Sequence, residues 1–287
     1  MKYFARMHSL VEAAERAAVP CVNPENARLH HEHYHGAGKK HERGIERDMN
    51  TAELAEFWAT GWPEGVDRLR AAMGEVTVPA IASIRRRPKW SDAGDELNRE
   101  RLYAGDIERA WRTTSRVSVA TPVTARILVD VAARWDVGSD ELFWRGAAAA
   151  SLAEALAAGG YSVEILATSA TKEISSDNSA SMFTATTVKS PEAPMNMNSL
   201  AAACCTASFF RGCLWPIRIA TLNERCKESL GSTMPVSQST DELAEMGLAK
   251  DATTRTFIVN QDVLDVAAAR LWVADVVVAL QKETAFA

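Results

Sequence analysis

The sequence lacks a strong excess of either charge, since 32 Lys and Arg residues stand against 37 Asp and Glu residues, a net charge of −5. A protein that grips nucleic acid with its whole surface is strongly basic, so this balance excludes that class and leaves room only for a local basic patch. Hydrophobic residues make up 47% and charged residues 24% of the 287 positions, which excludes a wholly disordered chain. A chain of this length buries a sizeable core without disulfides or metal.

Long apolar runs are also missing. No stretch reaches the ~18 residues that a transmembrane helix needs, and charged residues such as Arg6 and Glu12 interrupt the first 18 residues, unlike a signal peptide. The five cysteines are an odd number and form no CxxC pair. We therefore expect a cytoplasmic protein with free, mostly buried thiols and no membrane contact.

Several common catalytic signatures are absent as well. The sequence contains no GxSxG elbow, Walker A loop or GxGxxG fingerprint. Cys204 and Cys205 lie in an apolar, Ala-rich stretch, far in sequence from the histidines. No reaction is indicated, and a non-enzymatic role is favoured.

The clearest structural pattern begins after Pro122. Residues 123–131 are typical of a strand, 142–158 of an Ala-rich helix that ends at Gly159-Gly160, and 161–167 of a second strand. A helix of this length between two strands predicts a parallel, right-handed crossover.

The remaining pattern predicts an α/β protein. An irregular, mainly helical region, residues 1–118, is expected to pack on a three-layer, Rossmann-like domain with a mostly parallel sheet, residues 119–287. We expect helices over residues 1–18, 66–73, 198–210, 241–249 and 263–281, strands over 75–84, 213–220 and 256–259, an edge strand over 182–188, and loops over 21–50 and 170–181.

Asp130 is the leading candidate site residue. An acid at the carboxyl end of a parallel strand lies where such folds bind ligands. The expected ligand-binding edge comprises Asp130, Asp136, Asp140, Ser169 and Thr171. Its carboxylates could hold Mg²⁺ or Ca²⁺, or Asp130 could cap a turn while the later acids favour the start of a helix.

This unit resembles the von Willebrand factor A (vWA) fold, in which a first strand ends in Asp-x-Ser-x-Ser before a long helix and a second strand. Here Asp130 matches, whereas Ala132 and Arg134 replace the serines. The resemblance covers residues 120–285 and implies a vWA relative with a degenerate metal site.

The whole chain also resembles uncharacterised phage and bacterial proteins with a vWA-like C-terminal half. The pieces that carry this likeness are Gly61-Trp62-Pro63-Glu64-Gly65, Trp90-Ser91-Asp92-Ala93-Gly94-Asp95-Glu96-Leu97, Ala104-Gly105-Asp106 and Arg145-Gly146-Ala147-Ala148-Ala149. The resemblance implies a protein-binding or assembly factor, phage-encoded and residing in the host cytoplasm, whose partner is a MoxR-type AAA+ ATPase or a virion protein. A divalent-metal enzyme or adhesion-type site at Asp130 is the alternative.

Two further clusters stand out. His31, His33 and His35 alternate along the chain and could bind Zn²⁺ if the backbone is extended, or they belong to a solvated loop. A basic patch, Arg85, Arg86, Arg87, Lys89 and Trp90, could hold single-stranded nucleic acid as a second alternative function, or dock an acidic partner.

Overall fold

The computed structural model describes thirteen stretches of the chain. They are residues 2–18, 56–58, 60–76, 78–79, 81, 89–91, 94, 96–113, 124–133, 139–174, 179–221, 233–251 and 253–285. The strands are β1 (Lys2–Met7), β2 (Lys89–Ser91), β3 (Glu96–Leu97), β4 (Trp111–Thr113), β5 (Thr124–Asp130), β6 (Ser162–Ile174), β7 (Ser179–Lys189), β8 (Thr233–Met234) and β9 (Thr254–Val259). The helices are α1 (Leu10–Ala18), α2 (Pro63–Glu75), α3 (Arg99–Tyr103), α4 (Ser139–Ala158), α5 (Met197–Cys204), α6 (Trp215–Thr221), α7 (Thr240–Glu245) and α8 (Val266–Ala285).

A mixed, mostly parallel sheet lies at the centre of the described residues. Its order is β1-β7-β6-β5-β9, and β8 pairs with the C-terminal half of β6, at Ala170 and Thr171. β5 is parallel to both β6 and β9, and β1 is parallel to β7, whereas β6 is antiparallel to β7 and to β8. The predicted α/β class is therefore confirmed.

The predicted parallel pairing of two strands joined by a long helix is also confirmed. β5 and β6 run in the same direction, with Thr124 opposite Ser162 and Asp130 opposite Thr168, and α4 connects them. Helical segments cover both faces of the sheet. Leu142 of α4, Leu200 of α5 and Val273 of α8 belong to one core, whereas Leu243 of α7 and Leu248 pack with Leu128 in another.

The expected loop over residues 170–181 is wrong, because β6 continues to Ile174 and β7 begins at Ser179. Ser and Thr side chains resemble loop composition, yet here they bond across the strand pair. The hydroxyls of Ser169 and Thr184 lie 2.7 Å apart, and Thr171 donates to the carbonyl oxygen of Met182. Buried hydroxyls with such partners fit a strand interior.

The N-terminal helix expected over residues 1–18 is wrong in its first part, which forms β1. The hydroxyl of Ser9 accepts from the backbone N–H of Glu12, and the Glu12 carboxylate accepts from the backbone N–H of His8. This variant of the capping box starts α1 after the strand. Since β1 pairs with β7, the predicted edge strand is an inner strand between β6 and β1. The boundary at residues 118/119 stays a prediction, although β1 joins the N-terminal region to the main sheet.

Two predicted strands are wrong. Residues 213–220 continue a π-helix, Phe209–Leu214, into α6, because a short buried helix and a buried strand have the same apolar composition. Glu75 ends α2, and the described positions among residues 76–84 contain no strand. The turn signals at Gly94 and Gly105 predict a structured loop with a short helix over residues 90–111. The segment instead forms a small sheet of order β2-β4-β3, and the short helix is present as α3.

Among the described residues, no single helix is long and apolar enough to cross a membrane. One pair of consecutive helical segments, α5 and Phe209–Arg218, is together long and apolar enough, but the two segments are bent by 72°. Its apolar side chains, such as Leu200 and Phe209, are buried in the core of the protein.

Gly146 sets the distance between α4 and α5. A Cβ atom at this position would lie 2.2 Å from Cys205 Sγ and 2.8 Å from the carbonyl oxygen of Cys204. The absence of a side chain therefore allows the two helices to touch.

We expect Gly146→Ala to lower the free energy of unfolding by about 1–3 kcal/mol, because the added methyl overpacks the contact between α4 and α5. Gly74→Ala in α2 is the matched control, since its Cβ meets nothing within 4 Å. That change should be neutral or stabilise the helix by up to about 1 kcal/mol. Urea unfolding measures both, and equal effects would contradict the close-contact explanation.

Candidate functional site at the carboxyl ends of β5 and β9

The site lies where the order of the strands along the sheet reverses. From β5 the chain crosses to β6 on one side, and it later returns to β9 on the other side. The connections at the carboxyl ends of β5 and β9 lead to α4 and α8, which pack on each other on one face of the sheet. Ligand sites in open α/β sheets lie at the carboxyl ends of the parallel strands. Asp130 is the last residue of β5.

The Asp130 carboxylate is completely buried and hydrogen-bonded at both oxygens. Oδ1 accepts from the backbone N–H of Ala132 at 3.0 Å, and Oδ2 accepts from the backbone N–H of Val236 at 3.2 Å. The first bond is the local turn that Asp favours after a strand. The second bond attaches the 3-10 turn Val236–Gln238 to the end of β5.

Arg145 is buried almost as completely, and its guanidinium binds the backbone at the end of the same strand. Its Nη1 donates to the carbonyl oxygens of Asp130 and Ala132, both at 2.9 Å. Its Nη2 donates to the carbonyl oxygen of Gln261 at 3.0 Å, in the connection between β9 and α8. One guanidinium from α4 therefore joins both connections that lead away from the sheet.

The two charges act on each other's ionisation. Burial raises the pKa of Asp130 to about 6, against the opposing effects of Arg145 and of hydrogen bonds from Val236, Ala132 and Gln261. Burial lowers the pKa of Arg145, while Asp130, Asp262 and Glu141 act to raise it. The pKa of this carboxyl is higher in the folded chain than its ordinary value of 3.8. Its ionisation therefore lowers the free energy of unfolding as the pH rises from about 4 through 6.

The structure does not bring the predicted ligand-binding edge together. Asp140 is exposed, and its Oδ1 accepts from Arg68 Nη2 at 2.6 Å. Asp130 is paired with Thr168 in the β5–β6 register, so Ser169 and Thr171 point to the opposite face of the sheet. Both are buried in contacts between β6 and β7. Asp136 lies outside the described residues.

The other candidate clusters fall largely outside the described residues. These are His31, His33 and His35, and Arg85, Arg86 and Arg87 of the basic patch. Lys89 and Trp90 belong to β2. In the part of the chain that is described, no group of three or more His, Cys, Asp or Glu side chains is arranged to hold a metal ion.

The free thiols are confirmed at three of the five cysteines. Cys204, Cys205 and Cys213 are free and buried. Burial raises the pKa of Cys205 to about 12 and also raises the pKa values of Cys204 and Cys213 well above the ordinary value. Neutral thiols of this kind are poor nucleophiles.

Sequence reasoning missed Arg145 and Gln261 as parts of this site. Arg145 does carry a signal, because it is a single charge among apolar and Ala residues of a strong helix. A charged side chain on the buried face of a helix requires hydrogen-bond or charge partners. Asp130, at the end of the preceding strand, is a nearby acid in a buried position. Gln261 takes part through its side-chain amide, which hydrogen-bonds Asp130, and through its backbone carbonyl oxygen, which accepts from Arg145. For the carbonyl, the type of side chain gives no signal.

Comparison with known families places the chain. The sequence pattern described as a domain of unknown function (DUF7192) matches residues 3–259. The chain belongs to the DUF7192 family. The match runs from β1 to the last residue of β9, and so includes Asp130 and Arg145, while α8 lies beyond it. No match was found among curated proteins or among solved structures.

We expect Arg145→Met to destabilise the DUF7192 domain by about 3–5 kcal/mol, because it leaves three backbone carbonyl oxygens without their donor and removes the positive charge that favours the buried Asp130 carboxylate. Arg68→Met is the matched control. Arg68 is half-exposed, pairs with Asp140 and lies 4.0 Å from the centre of the Phe143 ring. Such contacts are worth about 1 kcal/mol or less. Urea unfolding followed by circular dichroism compares the two, and similar losses would show that Arg145 has no special role.

We expect Mg²⁺ and Ca²⁺ to produce no saturable rise in the Tm of the DUF7192 domain. Both Asp130 oxygens already accept hydrogen bonds, and the neighbouring guanidinium repels a cation. The measurement is a thermal-shift titration at constant ionic strength, with Asp130→Asn as the comparison. A saturable rise in the wild-type protein that Asp130→Asn abolishes would restore the metal site.

Proposed function

We propose that the chain is a protein-binding or assembly factor built on a vWA-like α/β domain. The vWA part is supported by the order β5–α4–β6, with an acid at the end of β5, and by the return of the chain to β9 on the other side of β5. Helices on both faces of the sheet agree with a three-layer arrangement. The proposal includes a phage origin, as the likeness of the whole chain implies.

The contacts of Asp130 favour binding over cation chemistry at the carboxyl edge. A cation would have to displace the backbone N–H groups of Ala132 and Val236 and approach the Arg145 guanidinium. In the described part of the chain this edge serves to join β5, the 3-10 turn and the connection between β9 and α8. A partner would therefore bind the outer surface of the domain and not this edge.

The observation that carries the proposal is an exposed apolar group beside the small sheet. Tyr103 is 85% exposed and Ile107 62% exposed, and Leu102 next to them is also exposed. We call these three residues the Tyr103 patch. Large apolar side chains clustered on a surface are typical of protein interfaces, where aromatic anchors contribute most of the binding energy.

The backbone of this segment is well supported, so the patch is presented by a defined structure. Asn98 caps α3 by accepting from the backbone N–H of Arg101 at 3.0 Å, and its own N–H donates to the carbonyl oxygen of Ala110 at 2.7 Å. Gly105 has φ +80°, which gives the turn that leads from α3 to Ile107. A preformed segment lowers the entropy lost on binding.

The surrounding charges favour a protein over a nucleic acid. The exposed residues flanking the Tyr103 patch include Glu100 and Glu108 as well as Arg99 and Arg109. A phosphate backbone would be repelled by the two acids, whereas a rim with both signs is typical of a protein interface. The partner class implied by the vWA resemblance is a MoxR-type AAA+ ATPase, with virion proteins as the second class.

The test is affinity purification of the full chain from its source cells, followed by mass spectrometry. We expect the wild-type protein to capture a discrete protein partner, and the double variant Tyr103→Ser with Ile107→Ser to capture at least about tenfold less, a loss of about 1.4 kcal/mol. Val11→Ser is the matched control, because Val11 is an exposed apolar residue on α1.

Each outcome of this purification has a meaning. An ATPase lost with the double variant and kept with Val11→Ser supports a MoxR-type partner, and capsid or tail proteins with the same pattern support a role in virion assembly. Nucleic acid alone, or capture that the two variants lower equally, contradicts the proposal. Circular dichroism of the variants verifies that they fold.

A further inference from the structure

The helix α8 has two apolar faces, of which the core uses one. Its inner face carries Ala269, Val273, Val277 and Leu280, all buried against the sheet and its helices. Residues at three- and four-residue spacing on one side are what a surface helix requires. The remaining apolar residues of α8 therefore need a separate explanation.

The outer face carries a second apolar row at the spacing of a coiled-coil seam. Leu271 is 64% exposed and Val278 44% exposed, seven residues apart. Ala267 is exposed and Ala274 partly exposed, so the row Ala267, Leu271, Ala274, Val278 has steps of four, three and four. We call these four residues the outer stripe. Leu264, one heptad before Leu271, is exposed just ahead of the helix.

The outer stripe is flanked by opposite charges. Arg270 lies on one side of it and Asp275 on the other, five residues further along the helix, and both are exposed. With Leu271 and Val278 at the a positions of a heptad, Arg270 takes a g position and Asp275 the following e position. In parallel coiled coils, a g residue of one helix meets the next e residue of the other.

We propose that the outer stripe of α8 binds α8 of a second copy of this chain, in parallel and in register about a two-fold axis. Leu271 then packs on its own equivalent, as do Val278 and the two alanines, whose small side chains let the helices approach closely. Arg270 of each copy meets Asp275 of the other, so the pairing forms twice.

The charges select this direction. In an antiparallel pair related by a two-fold axis, each flank of the stripe meets the same flank of the second helix. Arg270 would then face the Arg270 side and Asp275 the Asp275 side, which is repulsive. Arg270 is also held in place, because its Nε donates to the carbonyl oxygen of Glu75 at 2.8 Å. That bond uses one of the five N–H donors of the guanidinium.

The test is sedimentation equilibrium of the full chain over a wide concentration range. We expect a monomer–dimer equilibrium that Leu271→Glu weakens at least about tenfold, because two carboxylates would meet at the two-fold axis. Val11→Glu, an equal change on exposed α1, should leave the dimer intact.

A charge exchange tests the direction of the helices. Arg270→Glu alone and Asp275→Lys alone should each weaken the dimer, and the two together should restore it, since the opposite charges again face each other. A chain that stays monomeric at every concentration, a dimer that Leu271→Glu leaves unchanged, or a double variant weaker than both single ones would overturn the proposal.

This inference is independent of the proposed function. The double change at Tyr103 and Ile107 should not alter the dimer, and Leu271→Glu should not remove the captured partner's contact with the Tyr103 patch. Circular dichroism confirms that each variant is folded. Because the charge exchange changes only exposed residues, it remains informative if Leu271→Glu fails to fold.

Discussion

The buried guanidinium of Arg145 is the contact on which the carboxyl edge of the sheet depends. It donates to carbonyl oxygens of Asp130, Ala132 and Gln261, which belong to the end of β5 and to two separate connections. Taking this charge out of water is costly, and the carboxylate of Asp130 beside it offsets that cost. Removing either charge would leave the other buried without its counterpart. The ends of β5 and β9 are therefore one electrostatic unit, closed by the backbone N–H groups that Asp130 binds.

This use of the edge limits what the carboxyl ends of β5 and β9 can bind. Open α/β sheets offer a crevice at the point where the strand order reverses, and a cation there needs free oxygen ligands. In this protein the oxygens of Asp130 serve the fold. The Tyr103 patch and the outer stripe of α8 instead present apolar side chains to solvent. The two surfaces differ in composition. The Tyr103 patch has one aromatic and two aliphatic side chains with charges of both signs around them, whereas the outer stripe is a row of aliphatic side chains at heptad spacing.

The crossover β5–α4–β6 could be predicted because its signals are local: a β-branched run, an Ala-rich helix and a Gly-Gly end. β1 could not, because the three-residue spacing of Phe4 and Met7 is typical of a helix, whereas pairing with β7 makes the segment a strand in which these two side chains point to opposite faces. The Ser and Thr residues of β6 and β7 led to the wrong prediction of a loop for a similar reason. Their hydroxyls favour loops unless neighbouring strands supply hydrogen-bond partners, and those partners lie far away in sequence.

The sequence by itself determined the α/β class, the long crossover helix and the position of Asp130 at the end of a strand, since each rests on the order of side chains within a short segment. It also determined the heptad row of α8. Only the tertiary structure decided that Arg145 would meet Asp130, that Ser169 and Thr171 would face away from it, and that one apolar face of α8 would stay uncovered. These outcomes depend on strand register and on which elements pack together, and such contacts join residues that no local pattern relates.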